Sequence, residues 1–141
     1  MGKRRRGRIL AFQALYAWDM ADDKNEALKG LYNFSWVEKK TTAEDFSRLL
    51  IAGTLENIEK VDSIIRKHLV HWDFSRLNRV DRALLRMSVF ELLFSTAPPS
   101  VIIDEAVGIS REYGTDDSYR FVNGVLDGIR KTQCMKKENP S

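Results

Sequence analysis

Proline is missing until Pro98 and glycine is sparse, with eight in 141 residues, so nothing forbids long helices over the first two thirds of the chain. Alternating strand patterns are scarce as well. A single cysteine, Cys134, excludes an internal disulfide, and its place in a polar C-terminal stretch fits a reducing, cytoplasmic compartment. No apolar run approaches the roughly 18 residues of a membrane span. The arginine cluster near the start leads into an amphipathic stretch, not into the continuous apolar core of a signal peptide. With 43% apolar residues the chain can bury one core without staples, and a compact single domain over 1–141 is expected.

What is present is a helical period. From Arg8 to Met20, the residues Ile9, Phe12, Leu15 and Tyr16 share a face, which Ala11, Ala14 and Trp18 widen. Asp22, Asp23 and Asn25 punctuate before a short helix carrying Leu28, Leu31, Tyr32 and Phe34, which ends in a loop over Lys39–Thr42. Thr41 or Thr42 is a candidate N-cap for a long stripe that includes Phe46, Leu50, Ile58, Val61 and Ile65, with Gly53 placed to kink or divide it. Ser75 is the candidate cap of the next helix. There Leu77, Val80, Leu84 and Met87 form one face and Leu85, Val89, Leu92 and Leu93 the opposite one, the signature of the central, most buried helix. Pro98-Pro99-Ser100 opens a further helix bearing Ile102, Ala106, Ile109 and Tyr113, with Gly114 as a left-handed stop. Asp116 or Asp117 caps a last one, in which Phe121, Val122, Val125, Leu126 and Ile129 face inward. The fold class is therefore all-α, with six to seven helices, a flexible basic arm at 1–7 and a polar tail at 132–141.

Charge is unevenly spread. Five of the first eight residues are basic (Lys3, Arg4, Arg5, Arg6 and Arg8), which exceeds the net charge of +3 for the whole chain. Lysine and arginine that neutralise phosphates release condensed counterions, so a local cluster of this kind points to a polyanion, nucleic acid first. The plain alternative is a solvated terminus. Arg76, Arg79, Arg82 and Arg86, spaced 3, 3 and 4, make a second stripe along the central helix, suited equally to phosphate contact or to pairing with Asp73, Asp81 and Glu91. In the last helix Asn123 and Gly124 sit side by side, where the glycine alone costs roughly 1 kcal/mol. Gly124 would admit a neighbouring helix. Asn123 offers its amide either to a buried backbone group or to a base.

Catalysis finds little support. His68 and His71 lack a third ligand, so no metal is expected. Asp104-Glu105 and Asp116-Asp117 are adjacent pairs whose side chains diverge on a helix, and first-turn placement already explains them. No phosphate-cradling glycine loop or nucleophile triad is present. Neither enzyme activity nor a cofactor is expected.

The arginine-rich start, Phe12-Gln13-Ala14-Leu15-Tyr16, Val80-Asp81-Arg82-Ala83-Leu84-Leu85-Arg86, Asp104-Glu105-Ala106 and Phe121-Val122-Asn123-Gly124-Val125-Leu126-Asp127 together resemble the NusB transcription antitermination family. The match spans nearly the whole chain. The resemblance implies two packed helical halves and a non-enzymatic role: binding boxA-type single-stranded RNA of ribosomal-RNA leader transcripts together with NusE, a small-subunit ribosomal protein, within the RNA polymerase antitermination complex. It implies RNA contact by Lys3, Arg4, Arg5, Arg6, Arg8 and Tyr16, with Arg120, Phe121 and Asn123 close to the same face. Asp81 stands where the family usually has a glutamate directed at NusE and is one methylene shorter. Tyr119 stands where some relatives carry histidine. Members can also form homodimers, and the same fold serves as an RNA-binding module fused to ribosomal-RNA methyltransferases.

Overall fold

The computed structural model describes residues 2–32 and 43–138. Among them are seven α-helices and no strand: α1 (Lys3–Met20), α2 (Lys24–Tyr32), α3 (Ala43–Glu56), α4 (Ile58–Lys67), α5 (Arg79–Phe94), α6 (Pro99–Tyr113) and α7 (Ser118–Glu138), with a 3-10 turn at Phe74–Arg76 ahead of α5.

Two apolar clusters form the interior, and α5 is the wall between them. Ala83, Leu84 and Met87 face a cluster with Ile9, Leu10, Phe12 and Leu15 of α1 and Leu50 and Ile51 of α3. Leu85, Val89 and Leu92 face the other, with Val61 and Ile65 of α4, Ile102, Ile103 and Ala106 of α6, and Val122, Leu126 and Ile129 of α7. The two helical halves thus follow from one helix that is apolar on opposite sides. Leu84 and Leu85 are fully buried, so truncating either to alanine costs about 2–5 kcal/mol.

The elements differ from expectation mainly at their ends. The basic start is not a flexible arm: α1 begins at Lys3, so Lys3–Arg8 form its first two turns. The polar tail is likewise helical through Glu138. The long stripe breaks at Asn57, not at Gly53, which lies mid-helix where a Cβ would collide with the Phe90 ring of α5. Asn78, not Ser75, caps α5, its side-chain oxygen accepting from the Val80 amide at 2.8 Å. Gly114 ends α6 in an extended conformation with φ at −91°. Before α7 the Asp117 carbonyl accepts the first backbone bond from Phe121, while the Ser118 hydroxyl accepts from the Thr115 amide at 2.9 Å. Gly124 packs against nothing within 4 Å, and helix approach falls instead one turn later at Gly128, beside His68. The expected caps at Thr41 and Thr42, together with Phe34, lie outside the described residues.

The arginine stripe of α5 divides. Arg86 grips Asp62 of α4 through two bonds of 2.9 Å, and Arg82 reaches Asp19 of α1 at 2.6 and 3.0 Å. Arg86 also pairs with Asp19 at 3.3 Å, so one guanidinium joins α1, α4 and α5. Burial alone would raise the Asp19 carboxyl, but the guanidiniums of Arg82 and Arg86 hold it below the ordinary carboxylate range. Arg76 and Arg79 remain exposed.

Candidate nucleic-acid interface

Making the first residues helical sorts their charges by angle. Lys3 and Arg4 stay exposed, and the Arg4 guanidinium lies 4.3 Å from the centre of the Phe46 ring on α3. Arg5 is half-buried and pairs with Glu105 of α6 at 2.6 Å. Arg6 is half-buried as well. One turn beyond Arg4, position 8 points into the bundle. There Arg8 is 4% exposed and forms a forked pair with Glu91 of α5, Nε to Oε2 at 2.9 Å and Nη2 to Oε1 at 2.8 Å. Arg8 therefore leaves the expected RNA set: both carboxylate oxygens already occupy its guanidinium, and α3 and α5 cover it.

α6 runs beside α1 in the same direction. Arg5, at the start of α1, meets Glu105 in the middle of α6, and Phe12 further along α1 meets Tyr113 at the end of α6, with ring centres 5.4 Å apart. At Gly108 of α6 a Cβ would lie 2.6 Å from the Arg5 guanidinium, so this glycine lets the arginine side chain lie flat across α6. Tyr113 is partly exposed, and its hydroxyl is shifted toward higher pKa first by burial and then by the neighbouring Glu112. The strip continues onto the start of α7, where Arg120 is exposed and Tyr119 half-buried. Tyr16 is half-buried against the first apolar cluster. Asn123 is exposed, so its amide is open to an outside partner and serves no buried backbone group.

Phe121 belongs to a second feature, a pocket of about 340 Å³ lined among others by Trp72, Asn78, Asp81, Ser118 and Phe121. Phe121 packs on the second apolar cluster and meets the indole of Trp72 edge-on at 6.3 Å. Trp72 is 61% exposed, on a loop where His71 adopts a left-handed φ of 71°. Asp81, by contrast, is only 7% exposed, and its Oδ1 has no hydrogen-bond partner. Burial pushes its carboxyl above the ordinary range, against a smaller lowering by the Ser118 hydroxyl. Unlike Asp19, Asp62 and Glu91, it is a buried acid without a guanidinium.

Trp72, Tyr113 and Arg111 were not singled out from the sequence as site residues. Tyr113, an aromatic on a helix face, looks like core until packing shows which side it occupies, and neither the loop residue Trp72 nor the lone Arg111 carries a local signal of its surroundings. Among the described residues no cluster of three or more His, Cys, Asp or Glu side chains could hold a metal, and no helix is long and apolar enough to cross a membrane.

Residues 5–131 match the NusB family. The chain belongs to the NusB family. Two curated relatives, each a transcription antitermination protein NusB, are those of Treponema pallidum, 53% identical over 92% of this chain and 93% of its own, and of Treponema denticola, 46% identical over 90% and 95%. The solved NusB of T. maritima is 37% identical with a TM-score of 0.78, covering 91% of this chain and 90% of its own. A second solved relative, NusB in a complex of antitermination factors NusB and NusE with double-stranded RNA, is 32% identical with a TM-score of 0.79 over 92% and 97%. NusB membership makes this an all-helical transcription antitermination factor and not an enzyme.

Proposed function

We propose that this NusB protein binds boxA-type single-stranded RNA of ribosomal-RNA leader transcripts along the α1/α6 edge, docks NusE at the Asp81 pocket, and so supports processive transcription by RNA polymerase. Its place of action is the cytoplasm. The observation that carries the reading is the strip of cations and aromatics running from Lys3, Arg4 and Arg5 past Gly108 to Arg120. Phosphates are held by such cations, and single-stranded bases are read by stacking and by hydrogen bonds to their edges. Tyr16 and Asn123 are the residues offered for stacking and edge contact. Phe121, anchored in the core on one side, presents its remaining surface to the pocket.

The relative solved with NusE and RNA supports a shared partnership. The curated relatives are antitermination proteins over nearly their full length, which favours this reading over a module fused to a methyltransferase. The test is a titration of boxA-like RNA against a scrambled strand and a duplex, with and without NusE, across salt. Engagement of four to six phosphates predicts roughly 50- to 300-fold weaker binding between about 50 and 200 mM salt. Salt-insensitive affinity, or equal affinity for the scrambled strand, would overturn the proposal. Gel filtration in the same buffers reads whether a homodimer competes with RNA.

A further inference from the structure

We propose that Arg111, Tyr119 and Arg120 form a phosphate site that carries the RNA path from α1 across the exposed side of α6 onto the start of α7. This rests on the RNA-binding reading above and adds two residues to it, Arg111 and Tyr119.

The Arg111 guanidinium of α6 lies 4.5 Å from the centre of the Tyr119 ring, and the Arg120 guanidinium lies 5.5 Å from the same centre. Arg120 Nε donates to the Tyr119 hydroxyl oxygen at 2.9 Å. That bond occupies an oxygen lone pair and leaves the phenolic hydrogen to be donated elsewhere. Neither arginine has a carboxylate partner among the described residues, whereas Arg5, Arg8, Arg82 and Arg86 each hold one. Two like charges gathered on one ring repel, and an aromatic face offsets only part of that. An anion presented to both guanidiniums and the hydroxyl would relieve the repulsion and accept bonds from all three groups. A phosphodiester matches this donor set.

The placement joins the basic start of α1. Arg111 is three residues beyond Gly108, about 4.5 Å further along α6, and Gly108 is where the Arg5 guanidinium lies across the helix. Asp104 and Glu112, both exposed on α6, and Asp116 and Asp117 ahead of α7, border the strip. Those carboxylates repel a backbone laid over them and so confine phosphate contact to the cationic points.

The experiment is titration of boxA-like single-stranded RNA with Arg111→Ala, Arg111→Lys, Tyr119→Phe, Arg4→Ala and Lys60→Ala proteins at several salt concentrations. Arg111→Ala should weaken binding about threefold to tenfold at low salt and reduce the salt slope by about 0.7, the increment of one single-strand phosphate contact. Arg111→Lys should keep the slope, and Tyr119→Phe should lose affinity with its slope nearly intact. Lys60→Ala removes the same charge from α4, where Lys60 lies over Phe94, and should change the slope little. A wild-type slope for Arg111→Ala beside a reduced one for Arg4→Ala overturns the site and leaves the RNA reading standing. A lowered melting temperature for Arg111→Ala with RNA binding unchanged also overturns it, making Arg111 a tether between α6 and α7. If the wild-type protein itself shows no affinity for the RNA, both proposals fall.

Discussion

The opening turns of α1 and the N-terminal half of α5 carry the same residue type at helical spacing, yet they use it in opposite ways. On α5, Arg82 and Arg86 turn inward and are consumed by Asp19 and Asp62, stitching α5 to α1 and α4. On α1, Lys3 and Arg4 stay outside, Arg5 pairs half-buried with Glu105, and Arg8 is fully buried against Glu91. Arginine does not reveal its role by its charge; what decides is whether a carboxylate meets it where water is excluded. A buried pair gives its geometry to the fold, since removing one partner strands the other. An exposed cation adds little to stability and keeps its charge for a ligand.

The sharpest way to break this contrast is at Arg8. Arg8→Ala should cost about 3–5 kcal/mol by leaving Glu91 buried and unpaired, read as a large fall in melting temperature. Arg4→Ala, one turn earlier, should stay within about 0.5 kcal/mol. Equal losses at the two positions would erase the distinction. Next comes the buried acid without a guanidinium. Asp81→Lys should weaken NusE binding at least about tenfold, as expected when one side of an interfacial charge contact is reversed, while circular dichroism still reports a folded helical protein. Unchanged calorimetric affinity would remove Asp81 from the docking surface. A smaller effect is expected from Lys3→Ala with Arg4→Ala. The pair should lower the RNA salt slope by about 1.4 and leave thermal stability nearly untouched.

The finest test uses pH, because the two kinds of buried acid shift in opposite directions. Asp19 is held below the ordinary value of 3.8, so the stability it contributes is present above that value and is lost as pH falls through its lower, folded-state pKa. Asp81 is raised above it, so the folded state binds the extra proton and stability declines as pH rises through its folded-state pKa. Asp19→Asn should therefore destabilise the protein at neutral pH and matter less in acid. Asp81→Asn should stabilise it at neutral pH and converge with wild type in acid. Denaturant melts at pH 7 and pH 3 compare the two, and a common sign would refute the assignment of partners.

Much of this architecture is legible in the chain order. The two opposed faces of α5, Leu84 and Met87 against Leu85 and Val89, follow from period alone and already imply two clusters. Pro99 at the start of α6 is legible for the same local reason, a residue tolerated in a first turn and excluded from an interior. Helix ends were harder. Ser75 and Asn78 are both competent caps, and the choice depends on the 3-10 turn that Asp73 organises by accepting from the Ser75 amide. Gly53 and Gly124 look alike in sequence. One faces an aromatic ring and the other faces nothing, which no local signal encodes.

At the candidate interface the division is similar. That the first turns are basic and that Asn123 stands on the last helix can be read directly. That Arg8 is spent on Glu91, 83 positions away, cannot. Nor can the gathering of Arg111 and Arg120 on Tyr119, or the rim that Trp72 makes beside Asp81. Helical period and terminal chemistry act within a few residues, so the order of amino acids by itself determined the helices, their inward faces and the total charge on offer. Which charges are buried against a partner and which stay free depends on how distant helices pack, because burial and long-range pairing exist only once the tertiary structure has brought the groups together.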